Sequence, residues 1–126
     1  MEQQEKIRPV TLTIREDGIF VFKFTQMNTE AIEKLEKIML AAGGKFPPGL
    51  RTLWDLRESS DPTREYLRRI KALLSRLELP RDARTAHVVR SVTDSMWIRI
   101  ARSGLVERDN TRSFTDFDSA VAWLRS

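Results

Sequence analysis

The sequence predicts an α/β domain with a mixed, mostly parallel sheet and the element order ββαβαβαβα. Three observations predict it. Short apolar runs rich in Val, Ile, Phe and Thr recur along the chain. Longer segments between them carry apolar residues at three- and four-residue spacing. Finally, Glu16-Asp17-Gly18 joins the first two apolar alternations, and Asp-Gly there is a hairpin signal because primed turns need positive φ. Strands that alternate with helices imply parallel βαβ units with right-handed crossovers, so only the first strand should pair antiparallel.

Each element follows from local chemistry. The polar start, residues 1–8, is expected to fray. "VTLTIREDGIFVFKF" reads as strands near 10–15 and 19–24, with Phe20, Phe22 and Phe24 on one face and buried under a helix. The next segment reads as a helix capped by Asn28, with Ala31, Ile32, Leu35, Ile38 and Met39 on its apolar face. Gly43-Gly44 permits its left-handed exit. "LRTLWDL" is the third strand. A second helix is predicted from Asp61-Pro62, with aspartate as cap and proline in the first turn, to about Leu77. "RTAHVV" supplies the fourth strand, and a third helix is predicted from Ser91–Asp94 to Gly104. "TRSF" is a short fifth strand, and Thr115 is the expected cap of a last helix through "TDFDSAVAWL".

Composition bounds the function classes. At 126 residues the chain is read as one domain, residues 1–126, burying roughly two-thirds of its unfolded surface. It contains no cysteine, which excludes disulfides, thiolate metal sites and cysteine nucleophiles. The single histidine, His87, rules out the usual multi-histidine metal sets. No glycine-rich phosphate loop is present, so no nucleotide cofactor is expected. No apolar run approaches the ~20 residues that span a bilayer, and a cytoplasmic protein is the expectation. Residues 1–63 carry nine Lys/Arg against ten Asp/Glu, and residues 64–126 thirteen against eight. The basic second half, with Arg64, Arg68, Lys71, Arg69 and Arg76 on the second helix, reads as a solvated face before it reads as a nucleic-acid surface.

The element order, "REDGIFVFKF" before a Thr-Glu helix start, "LWDLRES", "DARTAHVV" and "RSFTDFDSAVAWL" together resemble the STAS fold group. That group includes the anti-sigma-factor antagonists and a branch of small bacterial proteins compared with CRAL-TRIO lipid-binding domains. The resemblance spans most of the chain and implies a four-turn βα superhelix. It also implies a place for regulatory phosphorylation after the third strand, where Ser59 and Ser60 stand here. Asp61-Pro62 replaces the glycine of the phosphorylated relatives, and Glu58 and Asp61 would repel an added dianion, so capping and loop bonding explain these serines better.

Asp55 falls at the C-terminal end of a parallel strand, where ligand sites gather. Its expected role is structural, accepting N–H bonds from the following loop. A Ser59–His87–Asp55 set can be written on paper, but no nucleophile elbow accompanies it, so no catalytic residue is assigned and His87 is read as a hydrogen-bonded strand residue. In "SMWIRIARSGL" the third helix is apolar on more than one side, which calls for burial on more than one side. The sequence therefore reads as a non-enzymatic binding module. Its first reading is recognition of a protein partner or of itself as a homodimer, through Trp97, Ile98, Arg99 and Arg102. The alternative is a carrier or sensor of a small apolar, lipid-like ligand, with Trp54, Met96, Trp97 and Ile100 lining the pocket.

Overall fold

The computed structural model describes residues 8–41, 43–91, 93–94, 97–98, 100 and 110–126. Its strands are β1 (Val10–Ile14), β2 (Phe20–Phe24), β3 (Arg51–Asp55), β4 (Arg84–Val88) and β5 (Thr111–Phe114). Its helices are α1 (Thr29–Leu40), α2 (Arg64–Arg76) and α3 (Phe117–Arg125). The strands form one sheet in the order β1-β2-β3-β4-β5. β1 and β2 pair antiparallel, and every later pair is parallel. An order that advances in one direction places successive right-handed crossovers on the same face. α1 and α2 accordingly cover one side and pack on each other. The opposite side is left to α3, which packs on β3, β4 and β5.

The hairpin turns through Glu16-Asp17-Gly18, but not as the primed turn expected. Only Gly18 has positive φ, at 85°, and the Arg15 N–H donates to the Ile19 carbonyl at 2.9 Å. The loop thus has three residues, with glycine at the left-handed position, and Asp17 is held by Arg15 instead of adopting positive φ itself.

Asn28 caps α1, its side chain accepting from the Ala31 N–H at 3.0 Å. Gly43 and Gly44 make the left-handed exit, with φ of 70° and 76°. At Gly44 a Cβ would lie 3.1 Å from the Arg76 carbonyl oxygen, so the end of α1 is drawn against the end of α2. Two other caps correct the sequence reading. α2 starts at Arg64 with Thr63 as its cap, not at Asp61-Pro62, because the preceding segment is tied down in extended form. Ser60 N–H donates to the Thr25 carbonyl and Thr63 N–H to the Met27 carbonyl, both on the β2–α1 connection. α3 is capped by Asp116, not Thr115, since its carboxylate accepts from both the N–H and the hydroxyl of Ser119.

Of the helix expected between Ser91 and Gly104, residues 97, 98 and 100 are helical, and the Ile98 N–H donates to the Asp94 carbonyl at 3.0 Å. Ser91, Thr93 and Asp94 precede these residues in non-helical form, while residues 92, 95, 96, 99 and 101–109, with Met96, Arg99 and Arg102, lie outside the described residues, as do residues 1–7 of the start expected to fray.

Candidate functional site

Side chains alternate across a strand, so register decides what each helical layer meets. On the α3 side stand Leu53, Ala86 and Val88, sealed against Ala120, Val121 and Leu124. Arginines from the strand starts close the end of this layer. Arg51 Nε donates to the Leu124 carbonyl at 2.9 Å and Arg84 Nη1 to the Trp123 carbonyl at 3.0 Å, where unpaired helix C-terminal carbonyls need donors. The guanidiniums of Arg84 and Arg112 lie over the Trp123 ring.

The other side of the sheet presents two rows set side by side. Phe22, Trp54 and His87 are register partners across β2, β3 and β4. The neighbouring row is Phe20, Thr52, Thr85 and Thr111, across β2 to β5. The aromatic row is continuous. Trp54 packs on Phe22 at 5.3 Å and on His87 at 6.1 Å between centroids, and His87 packs on Trp97 at 5.3 Å. The threonine row is shorter in reach, and Thr52 and Thr85 satisfy each other, Oγ1 to Oγ1 at 3.1 Å.

Between these rows and the helices lies a cavity of about 320 Å³. Its floor is Thr52, Thr85, Thr111, His87 and Trp54, and its roof is made by residues such as Met39, Tyr66, Ile70 and Leu74. The loop residues Phe46 and Pro47 bound one end, beside Lys45, whose side is exposed. Cores of this size normally hold few voids larger than a water molecule, so a space this large is a feature of the design.

His87 is 8% exposed, and its Nδ1 finds no hydrogen-bond partner among the described residues. The hydrogen bond expected of a strand histidine is therefore not made at this nitrogen among the described residues. Burial pushes its pKa down to about 4, so the ring is neutral at physiological pH. Burial likewise raises the pKa of the Tyr66 phenol.

Asp55 occupies the opposite face of β3 from Trp54. It accepts from the Arg57 N–H at 3.2 Å, from Nε at 3.0 Å and from Nη2 at 2.9 Å. Burial alone would raise its pKa, but the Arg57 bonds and charge outweigh that and hold it below the usual carboxylate value. Because Asp55 and His87 project to opposite faces, the set written on paper with Ser59 is not assembled. Ser59 is buried, with its hydroxyl donating to the Ser60 carbonyl, whereas Ser60 is exposed. Both precede the Thr63 cap, so neither stands at the N-terminus of α2. Arg90 braces this loop, donating to the Arg57 and Ser59 carbonyls and pairing with Asp94.

The remaining sequence candidates separate by burial. Trp54 and Ile100 are buried and line the cavity. Trp97 is buried against His87, while Ile98 is half-buried. On α2, Arg68 pairs with Glu65, and Arg69 with Glu36 of α1, so these two charges brace the helices. No cluster of metal-binding side chains occurs among the described residues. Among those residues, no helix is long and apolar enough to cross a membrane.

The sequence reading missed the threonine row and the place of His87 in the cavity floor beside it. A signal was present: strand residues facing a helical layer are usually aliphatic, yet Thr52, Thr85, His87 and Thr111 interrupt that face in three successive strands.

Set against solved structures, this chain matches an uncharacterised protein with a SpoIIAA-like fold from Shewanella loihica. The TM-score is 0.67 at 18% identity, covering 98% of this chain and 99% of the other. The fold is STAS-like. An anti-sigma factor antagonist from Mycobacterium paratuberculosis matches this STAS-like chain with a TM-score of 0.62 at 16% identity, over 98% of this chain and 100% of that one. An anti-sigma-factor antagonist (STAS) domain protein from Planctomyces limnophilus gives 0.63 at 14% identity, over 93% and 98%. No family model and no curated protein matches the sequence.

Proposed function

We propose that this STAS-like domain works by binding and not by catalysis, and that its inner cavity takes a small apolar ligand. The cavity itself carries the reading: about 320 Å³, roofed by aliphatic and aromatic side chains, with Trp54 and Ile100 in its wall. An engineered apolar cavity near 150 Å³ admits benzene, so this one accommodates an apolar body on the order of a dozen heavy atoms. Carboxylate chemistry is not arranged around it, since Asp55 lies on the far face of the sheet and is engaged by Arg57. The test is native mass spectrometry of the purified protein together with titration of a ten-carbon alcohol, followed by tryptophan fluorescence. A saturable change that Trp54→Phe diminishes supports the reading. Absence of both retained ligand and saturable change up to the alcohol's solubility sinks it.

A second reading rests on the relatives. Two proteins of this fold are described as anti-sigma factor antagonists, which favours a regulatory module that meets a protein partner or a second copy of itself. Its surface would centre on half-buried Ile98 with Arg99 and Arg102. Ile98→Asp should then abolish dimerisation in analytical ultracentrifugation while the melting temperature is retained; an unchanged sedimentation profile in a dimeric protein argues against it.

A further inference from the structure

Resting on the apolar-ligand reading, we infer that the cavity selects a neutral amphiphile, one whose single hydroxyl bonds to His87 Nδ1 while its apolar body lies beneath α1 and α2. The observation that points to a ligand is that Nδ1, on a side chain more than nine-tenths buried that lines the cavity, has no partner among the described residues. A buried polar atom left unpaired costs free energy, and a partner supplied by a ligand recovers it. The surrounding floor agrees with a polar but uncharged group. Thr85 lies two residues away on the same face of β4, and its hydroxyl with those of Thr52 and Thr111 gives further bonding capacity without charge. A hydroxyl suits either tautomer of the ring, because it can donate to a bare nitrogen or accept from an N–H. An ionised group is disfavoured at this depth, since the neutral ring offers no countercharge. Among the described residues that line the cavity the one cation, Lys45, stands exposed at the rim by Phe46 and Pro47.

Three rigid probes of matched shape test the inference: 2-naphthol, naphthalene and 2-naphthoate, titrated into the full chain by calorimetry at neutral pH. 2-Naphthol should bind about tenfold tighter than naphthalene, the size expected for one buried hydrogen bond. It should also bind about tenfold or more tighter than the anion. In His87→Phe, the preference for naphthol over naphthalene should fall to within about twofold, because only the bond is lost. His87→Asn, with a polar atom near the Nδ1 position, should restore part of it. In the unmodified protein the imidazole Nδ1 nitrogen resonance should shift with 2-naphthol and stay put with naphthalene, a readout independent of any variant's folding. Equal binding of naphthol and naphthalene, or an unmoved Nδ1 resonance, overturns the hydroxyl assignment and leaves the apolar pocket standing. Tighter binding of 2-naphthoate overturns it in favour of Lys45. Failure of all three probes to bind removes the pocket reading itself.

Discussion

The two faces of the sheet are built from the same five strands and differ in how they meet their helices. On the α3 face, aliphatic residues of moderate size, Leu53, Ala86 and Val88, meet small ones, Ala120 and Val121, and the layers close completely. On the other face, the aromatic row of Phe22, Trp54 and His87 stands beside a row of threonines. The tall row props α1 and α2, and the short row does not reach them, so space opens over Thr52, Thr85 and Thr111. The difference shows how a domain this small can hold both a packed core and a cavity. One face is closed by buried aliphatic side chains, while the second, braced by the Arg69–Glu36 pair between its helices, carries the void.

The comparison can be broken most directly by changing volume on each face. Leu53→Ala on the sealed face should cost about 3 kcal/mol by urea denaturation, within the range for buried leucine truncations. Overpacking there with Ala86→Leu should cost about 1–3 kcal/mol. Thr111→Leu at the cavity floor should change stability by less than about 1 kcal/mol, because the added carbons have room, while weakening uptake of the ten-carbon alcohol. Equal penalties for Ala86→Leu and Thr111→Leu would mean that the two faces are packed alike.

A pH series sharpens the comparison next. His87 has a folded pKa of about 4, below its ordinary 6.5, so the unfolded chain takes up the proton first as pH falls. Its contribution is fully present above pH 6.5 and is lost progressively as pH drops toward 4, reaching about 3 kcal/mol. The difference in stability between the natural chain and His87→Phe should therefore vary with pH across that window. A constant difference would mean that the ring is solvated.

The smallest expected effects come from the caps. Thr63→Ala and Asp116→Ala each remove a cap and should each cost about 1 kcal/mol. Only Thr63→Ala should also weaken ligand uptake, since α2 roofs the cavity and α3 lies on the far side of the sheet. Matched losses of affinity in the two variants would show that the faces are not independent.

Much of this organisation was legible in residue order. Alternation and three-to-four spacing located the strands and the apolar faces of α1 and α2, because those periods are properties of the local backbone. Asn28 and Gly43-Gly44 marked the ends of α1 for the same reason. The caps of α2 and α3 were displaced from their expected positions because ties to distant carbonyls and a competing carboxylate decided them. The aspartate in "LWDLRES" accepts from the Arg57 N–H, a bond that local sequence can reach because Arg57 is only two residues away.

Tertiary structure alone decided the site. Trp54, His87 and Phe22 are far apart in the chain and become neighbours through strand register. The same register separates His87 from Asp55 and places three threonines in line. Local sequence therefore determined which segments form strands and helices, and which sides of the helices are apolar. Where the layers close and where they leave a cavity depends on the summed heights of side chains from different strands, a quantity that exists only after the sheet has assembled.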